Sequence, residues 1–178
     1  MRVLDCVKNF VDTIPNSGLS CAEQAGCQTM QTYMWWVDEP RVKASGNPTD
    51  DDLAGLRTQG FSRVVSFLEE NKQPPRYDKK SAAAAGWAFY SIPIEEGGAP
   101  SPAQLGEFMA QARNWPEGTQ TLMHCESGRG RTAFMGAVYW IARGQPANEA
   151  IARVRQAGLK PDWITPQREK LLHECEVS

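Results

Sequence analysis

Apolar residues along the chain fall into two kinds of run: short runs rich in aromatic and β-branched residues, and longer runs with helical spacing. The short runs predict strands, because such residues favour an extended backbone and turn-forming residues bound each run. The predicted strands cover residues 33–37, 63–68, 87–94 and 119–124.

Residues that start or end helices bracket the longer runs. Thr49 can cap a helix whose first turn holds three aspartates, and Gly60 ends it. Ser101, followed by Pro102 and Gln104, is a second helix start. Further helices are predicted over residues 81–85, 132–144, 147–156 and 166–175.

Strands that alternate with helices predict an α/β fold, in which helices flank a central, mostly parallel sheet. The 178 residues are enough for one domain of ordinary size. Residues 1–32 are polar and irregular in pattern. We therefore predict an N-terminal extension over 1–32 and a folded domain over 33–178.

The net charge limits the partners that the chain can bind. With 19 basic and 21 acidic residues the formal charge is −2, so no overall basic field attracts nucleic acid or an anionic membrane. The N-terminus lacks the continuous apolar segment of a secretory signal, and the longest apolar stretch is about half a membrane span. We expect a cytoplasmic protein that recognises anions locally.

Five cysteines and two histidines are the residues best suited to nucleophilic or metal chemistry. Cys21 and Cys27 do not have a usual zinc-ligand spacing, and no histidine lies near them. No metal or other cofactor is therefore expected. His124 and Cys125 are adjacent, and they begin a segment in which several reactive residue types cluster.

That segment, Cys-Glu-Ser-Gly-Arg-Gly-Arg at residues 125–131, lies between a predicted strand and a predicted helix. In a parallel sheet such a turn opens at the carboxyl edge, where ligands bind. Gly128 and Gly130 allow successive N–H groups to face one concavity, and the helix N-terminus adds its positive end. The segment thus predicts a cradle for a phosphate-like dianion. Its binding residues are Glu126, Ser127, Gly128, Arg129, Gly130 and Arg131.

Cys125 is the expected nucleophile of this cradle. The loop N–H groups, the arginines and the neighbouring His124 all favour a thiolate, which is a good nucleophile at neutral pH. Arg131 can bind two phosphate oxygens through its planar fork. Thr132 places a hydroxyl where it can donate to the sulfur when the sulfur becomes a leaving group.

The whole motif, HCESGRGRT, resembles the signature loop of the cysteine-dependent protein tyrosine phosphatases. Most of the chain from Tyr33 to Cys175 is similar to the small atypical dual-specificity phosphatases. The resemblance implies a phosphomonoester hydrolase that forms a cysteinyl-phosphate intermediate and needs no metal. It also implies a phosphorylated protein or peptide as substrate, and we expect a monomer.

The proton donor departs from the family pattern. Family members usually place an aspartate upstream of the cysteine, but no aspartate lies between Asp78 and Asp162. Glu117 lies in a Trp-Pro-Glu motif like that of tyrosine-specific phosphatases, yet it precedes the last strand and should lie at the opposite sheet edge. Glu95 and Glu96 follow a strand at the correct edge. The family motif maps the acid onto Glu96, and Glu95 is the alternative.

Two other functions are compatible with these residues. The same loop serves phosphatases of inositol phosphates, phosphoinositides and RNA 5′-phosphates, and the missing aspartate would suit a weakly active phosphate-binding module. Arg129 either selects polyanionic substrates or faces water. Trp35 and Trp36 either line the cleft or pack in the core, and any of the four other cysteines could form a disulfide with oxidised Cys125.

Overall fold

The computed structural model of the protein describes residues 32–157 and 165–176. Within these residues, strands and helices follow one another along the chain. The strands are β1 (Met34–Asp38), β2 (Val42–Ser45), β3 (Phe61–Ser66), β4 (Ala88–Ser91) and β5 (Gln120–His124). The helices are α1 (Asp50–Thr58), α2 (Lys79–Ala84), α3 (Pro102–Arg113), α4 (Gly130–Ala142), α5 (Ala147–Gln156) and α6 (Pro166–Glu176).

The described strands form one sheet in the order β1-β2-β5-β3-β4. β1 is antiparallel to β2, and all other neighbours are parallel. The parallel strands end in register, because Ser45 and Ser66 both pair with His124 and Ser66 pairs with Ser91. Their carboxyl ends therefore lie at one edge of the sheet, where the segments that follow them can meet.

Helices cover both faces of this sheet. Successive strand residues point to opposite faces, so Val64 and Leu122 enter one core while Val65 and Met123 enter the other. The larger core is centred on α4, which is buried along almost its whole length and packs with α3, α5 and α6. α1 closes the smaller core. Among the described residues, no helix is both long and apolar enough to cross a membrane.

The predicted fold class is confirmed, and so are the helix starts predicted at Thr49 and Ser101, whereas α2 begins at Lys79, capped by Asp78, and not at residue 81. Thr49 and Ser101 each complete a capping box, in which side chain and backbone exchange hydrogen bonds across the first turn. Of the predicted N-terminal extension, residues 1–31 lie outside the described residues, as do Cys6, Cys21 and Cys27.

Three strands differ from the prediction. β4 covers Ala88–Ser91, whereas the predicted strand was 87–94, because the apolar pattern continues through the buried Ile92 and Ile94 of the loop that follows. β2 has no predicted counterpart, because its four residues include a half-buried lysine and show no clear alternation; its pairing with β1 and β5 defines it. β3 covers Phe61–Ser66, whereas the prediction was 63–68. The apolar run extends past the strand because Phe67 and Leu68 are fully buried in the loop that follows.

Candidate active site

Residues 125–131, here called the phosphate loop, connect β5 to α4 at the carboxyl edge of the sheet. Cys125 follows the last residue of β5 and is only 1% exposed. Gly130 is the first residue of α4, a helix of 13 residues, so the positive end of the helix faces the loop. This is the position that the sequence predicts.

The carbonyl groups of the phosphate loop are bonded to the surrounding domain. The backbone N–H of Asn47 donates to the Glu126 carbonyl at 3.0 Å, and the indole Nε1 of Trp35 donates to the Gly128 carbonyl at 2.9 Å. A trans peptide unit is planar, so the N–H that follows each of these carbonyls points the opposite way. This is the orientation that an anion-binding nest requires of its N–H groups.

Gly128 lies where the phosphate loop crosses the end of β2. Its φ of +72° is in the left-handed region. A Cβ at this position would lie 2.4 Å from the backbone nitrogen of Gly46 and 2.4 Å from the carbonyl carbon of Ser45. Both the backbone conformation and the close approach therefore require glycine here.

Arg131 is 5% exposed and bonds to the two loops that follow β3 and β4. Its Nη1 donates to the carbonyls of Phe67 at 3.2 Å and Ile94 at 2.9 Å, and its Nη2 donates to Oε1 of Gln73 at 2.8 Å. These bonds with described residues leave Nε–H and the second Nη2–H. That pair is the parallel fork that binds two oxygens of a phosphate.

Gln73 links Arg131 to a candidate acid, a connection that the sequence does not predict. Its Oε1 accepts from Arg131, and its Nε2 donates to Oε2 of Glu96 at 2.7 Å. Gln73 lies in a polar loop after β3, and nothing in the local pattern distinguishes it from its solvated neighbours.

Glu95 and Glu96 lie in a four-residue turn, residues 95–98, here called the acid turn. The N–H of Gly98 donates to the Glu95 carbonyl at 3.0 Å, and Gly97 has a φ of +74°, as the third position of a type II turn requires. Both glutamates are exposed. The turn follows β4, so both carboxylates belong to the predicted edge of the sheet.

Glu117 lies at the other edge of the sheet from Cys125, and the two tryptophans pack against core residues. Glu117 lies between α3 and the first residue of β5, at the opposite end of that strand from Cys125, as predicted. Trp35 is 7% exposed and belongs to the larger core. Trp36 stacks on Phe61. Core packing is therefore the correct interpretation of Trp35, with the added bond to the phosphate loop.

His124 is fully buried and neutral. Burial lowers its pKa to about 3, and its Nε2 lies 3.1 Å from the hydroxyl of Tyr77. Burial also raises the pKa of the Tyr77 hydroxyl, so that group stays protonated. The imidazole therefore contributes no positive charge beside Cys125 at neutral pH, contrary to the expectation that it favours the thiolate.

A second buried arginine, Arg168 of α6, lies beside the phosphate loop and is not predicted from the sequence. It is 8% exposed, and its Nη2 donates to the Gly98 carbonyl at 2.7 Å. Burial lowers the pKa of Arg168, while attraction to Cys125 opposes that effect. The guanidinium is thus close enough for its charge to act on Cys125.

Thr132, Arg129 and Cys175 are three further predicted residues that the structure describes. Thr132 is fully buried, and among the described residues its hydroxyl has no hydrogen-bond partner. The guanidinium of Arg129 lies over the ring of Tyr33, 5.1 Å from its centroid, so an aromatic contact positions this loop side chain. Cys175 is a free, buried thiol on α6, and burial raises its pKa.

Comparison with protein families finds one matching model. The Tc-R-P family, described as "Polymorphic toxin system, DSP-PTPase phosphatase", matches residues 40–145. A comparison with curated proteins finds no match.

Similar solved structures are phosphatases. Tk-PTP in the active form is 27% identical, with a TM-score of 0.68, over 81% of this chain and 96% of that chain. PTPMT1 in complex with PI(5)P is 21% identical, with a TM-score of 0.67, over 82% and 95%. Kinase associated phosphatase is 18% identical, with a TM-score of 0.67, over 83% and 95%. The last two establish the fold alone.

The matched region covers more than half of the chain and contains the phosphate loop and the acid turn. The chain therefore belongs to the DSP-PTPase family of phosphatases, within the protein tyrosine phosphatase superfamily.

Proposed function

We propose that this protein hydrolyses phosphomonoesters through a cysteinyl-phosphate intermediate on Cys125. One observation carries the proposal: Arg131, with donors left over from its bonds to the domain, belongs to the same loop that begins with Cys125, and the carbonyls of that loop are bonded to the surrounding domain. A phosphate bound by these donors would present its phosphorus to the sulfur, and donors held in advance stabilise the charge of the transition state.

In the first step, the Cys125 thiolate attacks phosphorus and the bond to the ester oxygen breaks. The leaving oxygen takes a proton from a glutamic acid of the acid turn. Arg131 and the loop N–H groups bind the three remaining oxygens throughout. The phosphoryl group is then bonded to sulfur, and the alcohol departs.

In the second step, a water molecule attacks phosphorus and the sulfur leaves. The same glutamate, now ionised, takes a proton from that water. Thr132 is suited to donate to the departing sulfur, because its buried hydroxyl makes no hydrogen bond to other described residues. Free phosphate leaves and Cys125 returns to its starting state.

Glu96 is our preferred proton donor. Its carboxylate accepts from Gln73, which also accepts from Arg131, so a single amide positions the acid relative to the phosphate-binding fork. Glu95 shares the same turn and is the alternative. Glutamate is one methylene longer than the aspartate usual in the family, and the turn must accommodate that length.

Phosphoproteins are our proposed substrates. Phosphotyrosine is the preferred phosphorylated residue, and phosphoserine and phosphothreonine are further candidates. The side chains of the phosphate loop support a single phosphate rather than a polyphosphate, because they include one acid, Glu126, and one added base, Arg129. Asn47 holds the Glu126 carboxylate at 3.0 Å. A strongly basic rim, as a polyanionic inositol phosphate would favour, is not formed by this pair.

The first experiment tests the nucleophile with a chromogenic aryl phosphate. The protein is expected to hydrolyse it in the presence of a chelator, vanadate should inhibit, and Cys125→Ser should abolish turnover. Cys175→Ser is the matched control, since it removes another buried thiol outside the loop. Turnover that survives Cys125→Ser, or that requires a divalent ion, would contradict the mechanism. Phosphopeptide binding without turnover would identify a binding module instead.

The second experiment assigns the proton donor on phosphotyrosine, whose leaving group is poor. Glu96→Gln should lower kcat/KM by at least about tenfold, since general acid catalysis typically contributes that much or more. Glu95→Gln tests the alternative, and Glu117→Gln is the control at the opposite sheet edge. If only Glu117→Gln were impaired, or neither turn variant, the acid turn would be the wrong source of the proton. Inositol phosphates and RNA 5′-phosphates in the same assay test the other substrate classes.

A further inference from the structure

The acid turn is held at both of its ends by buried arginines. Immediately before the turn, the Ile94 carbonyl accepts from Arg131 at 2.9 Å. At its end, the Gly98 carbonyl accepts from Arg168 at 2.7 Å. The two carboxylates of the turn therefore lie between two backbone anchor points, only one of which belongs to the phosphate loop.

The second anchor comes from a different part of the chain. Arg168 lies on α6, 70 residues from Gly98, and it is 8% exposed. It also borders the phosphate loop, since a methyl group on Gly130 would lie 3.9 Å from its Nη1. One guanidinium thus contacts the acid turn and approaches the helix end that binds phosphate.

We propose that Arg168 is a positioning residue that holds the acid turn against the phosphate loop, so that the glutamic acid meets the leaving oxygen. This inference rests on the proposed hydrolytic function and adds a residue to it. The turn needs such an anchor because its two successive glycines give it more conformational freedom than other residues would. Proton transfer needs a heavy-atom distance of about 3 Å, and a misplacement of about 1 Å can cost a hundredfold in rate.

The positive charge of Arg168 has an effect on the reaction that can be separated from the anchoring of the acid turn. Its guanidinium attracts Cys125 and would attract a bound phosphate equally for every substrate. Loss of that attraction would slow all substrates by the same factor. Loss of the anchor would instead slow those substrates whose leaving group must be protonated, because a good leaving group departs with little help from an acid.

The test compares p-nitrophenyl phosphate, which has a good leaving group, with phenyl phosphate, which has a poor one. Arg168→Gln should reduce kcat/KM for phenyl phosphate about tenfold more than for p-nitrophenyl phosphate, which is less than the roughly hundredfold or greater loss expected when the acid itself is removed, because here the acid is only misplaced. Arg63→Gln is the matched control: Arg63 is half-buried near the start of β3, with its guanidinium over Tyr90 and Trp115. In Arg63→Gln, the ratio of kcat/KM for phenyl phosphate to kcat/KM for p-nitrophenyl phosphate should equal that of the wild type.

Two further variants make the result decisive. Arg168→Lys retains a charge but lacks the planar fork, so it should shift the ratio of the two kcat/KM values in the same direction as Arg168→Gln, but by less. If Arg168→Gln does not fold, Arg168→Lys replaces it in the test. In a Glu96→Gln background, or Glu95→Gln if that is the acid, Arg168→Gln should add no further change to the ratio.

An unchanged ratio in the folded Arg168 variants would overturn this proposal, and so would a full additional effect in the acid-free background. Neither result would contradict the proposed function, which the Cys125→Ser variant, the chelator and the phosphopeptide-binding measurement test separately. The two failures are therefore distinguishable.

Discussion

Arg131 illustrates how one side chain serves two purposes at the scale of a single residue. Three of its hydrogen bonds go to the domain and fix the plane of the guanidinium. In the proposed mechanism, the remaining donors of Arg131 bind phosphate without a further loss of side-chain freedom, which is the advantage of a site organised in advance. A lysine could supply the charge but not this division of donors.

Gln73 gives a prediction at the same scale. Gln73→Leu removes the acceptor for Arg131 and the donor for Glu96, and it leaves a buried guanidinium proton unpaired, at a cost of about 1–3 kcal/mol. We expect kcat/KM for phenyl phosphate to fall by about tenfold or more, measured by steady-state kinetics. Gln111→Leu on α3 is the control, since that amide donates to Glu107 of the same helix at 3.4 Å. Wild-type kinetics in Gln73→Leu would refute the bridging role.

The elements that carry the site are short and locally well specified. α1 and α3 begin at capping boxes, and α4 begins within the phosphate loop itself, where no side-chain cap is present. The uncapped N-terminus of α4 leaves its first N–H groups available to an anion.

α3 gives a prediction at the scale of an element. Gly106 lies in its interior, exposed, and a Cβ there would meet nothing within 4 Å. Gly106→Ala should therefore raise the free energy of unfolding by about 0.5–1 kcal/mol, measured by urea denaturation, because alanine loses less backbone entropy in a helix. Ala110→Gly, at an exposed position of the same helix, should lower it by a similar amount. A destabilised Gly106→Ala would show that α3 needs that glycine for packing.

The whole molecule is organised by the shared edge of the parallel strands. The segments after β2, β3, β4 and β5 meet there because those strands end in register. The phosphate loop bonds to the residue pair Trp35 and Asn47 on one side, and Arg131 bonds to the loops after β3 and β4 on the other. Burial of His124 beneath this edge also links the stability of the domain to pH.

That link gives a prediction for the whole molecule. Burial lowers the pKa of His124 from 6.5 to about 3, so between these pH values the unfolded chain binds a proton that the native protein does not. Stability should therefore fall as pH drops below about 6.5, by about 2 kcal/mol at pH 5 from this group alone. Urea denaturation at pH 7.5 and at pH 5 measures this fall in the free energy of unfolding.

The histidine variants separate this effect from other titrating groups. His124→Gln should be less sensitive to pH than the wild type by about that amount. His173→Gln, which changes an exposed histidine on α6, should keep the wild-type dependence. Equal pH dependence in the wild type and His124→Gln would show that the imidazole does not remain neutral in the native state.

The local pattern was sufficient for the helix caps and for the position of the phosphate loop between β5 and α4. The thiol, the glycines, Arg131 and Thr132 lie within eight consecutive residues, and the flanking strand and helix are strongly apolar. Their geometry depends on nearby backbone, so contiguous sequence carries it. Such predictions succeeded because hydrogen bonds within one turn, and burial of one face, are properties of neighbouring residues.

Long-range packing was needed for the rest. β2 is a strand only because β1 and β5 lie on either side of it, and Gln73 is distinguished from its polar neighbours only by Arg131 and Glu96. In the sequence, Arg168 is one of several charged residues of a polar helix. In the structure, its guanidinium donates to the Gly98 carbonyl of the acid turn. The free energy of these contacts comes from groups distant in sequence that the fold brings together, and no local pattern records which groups those are.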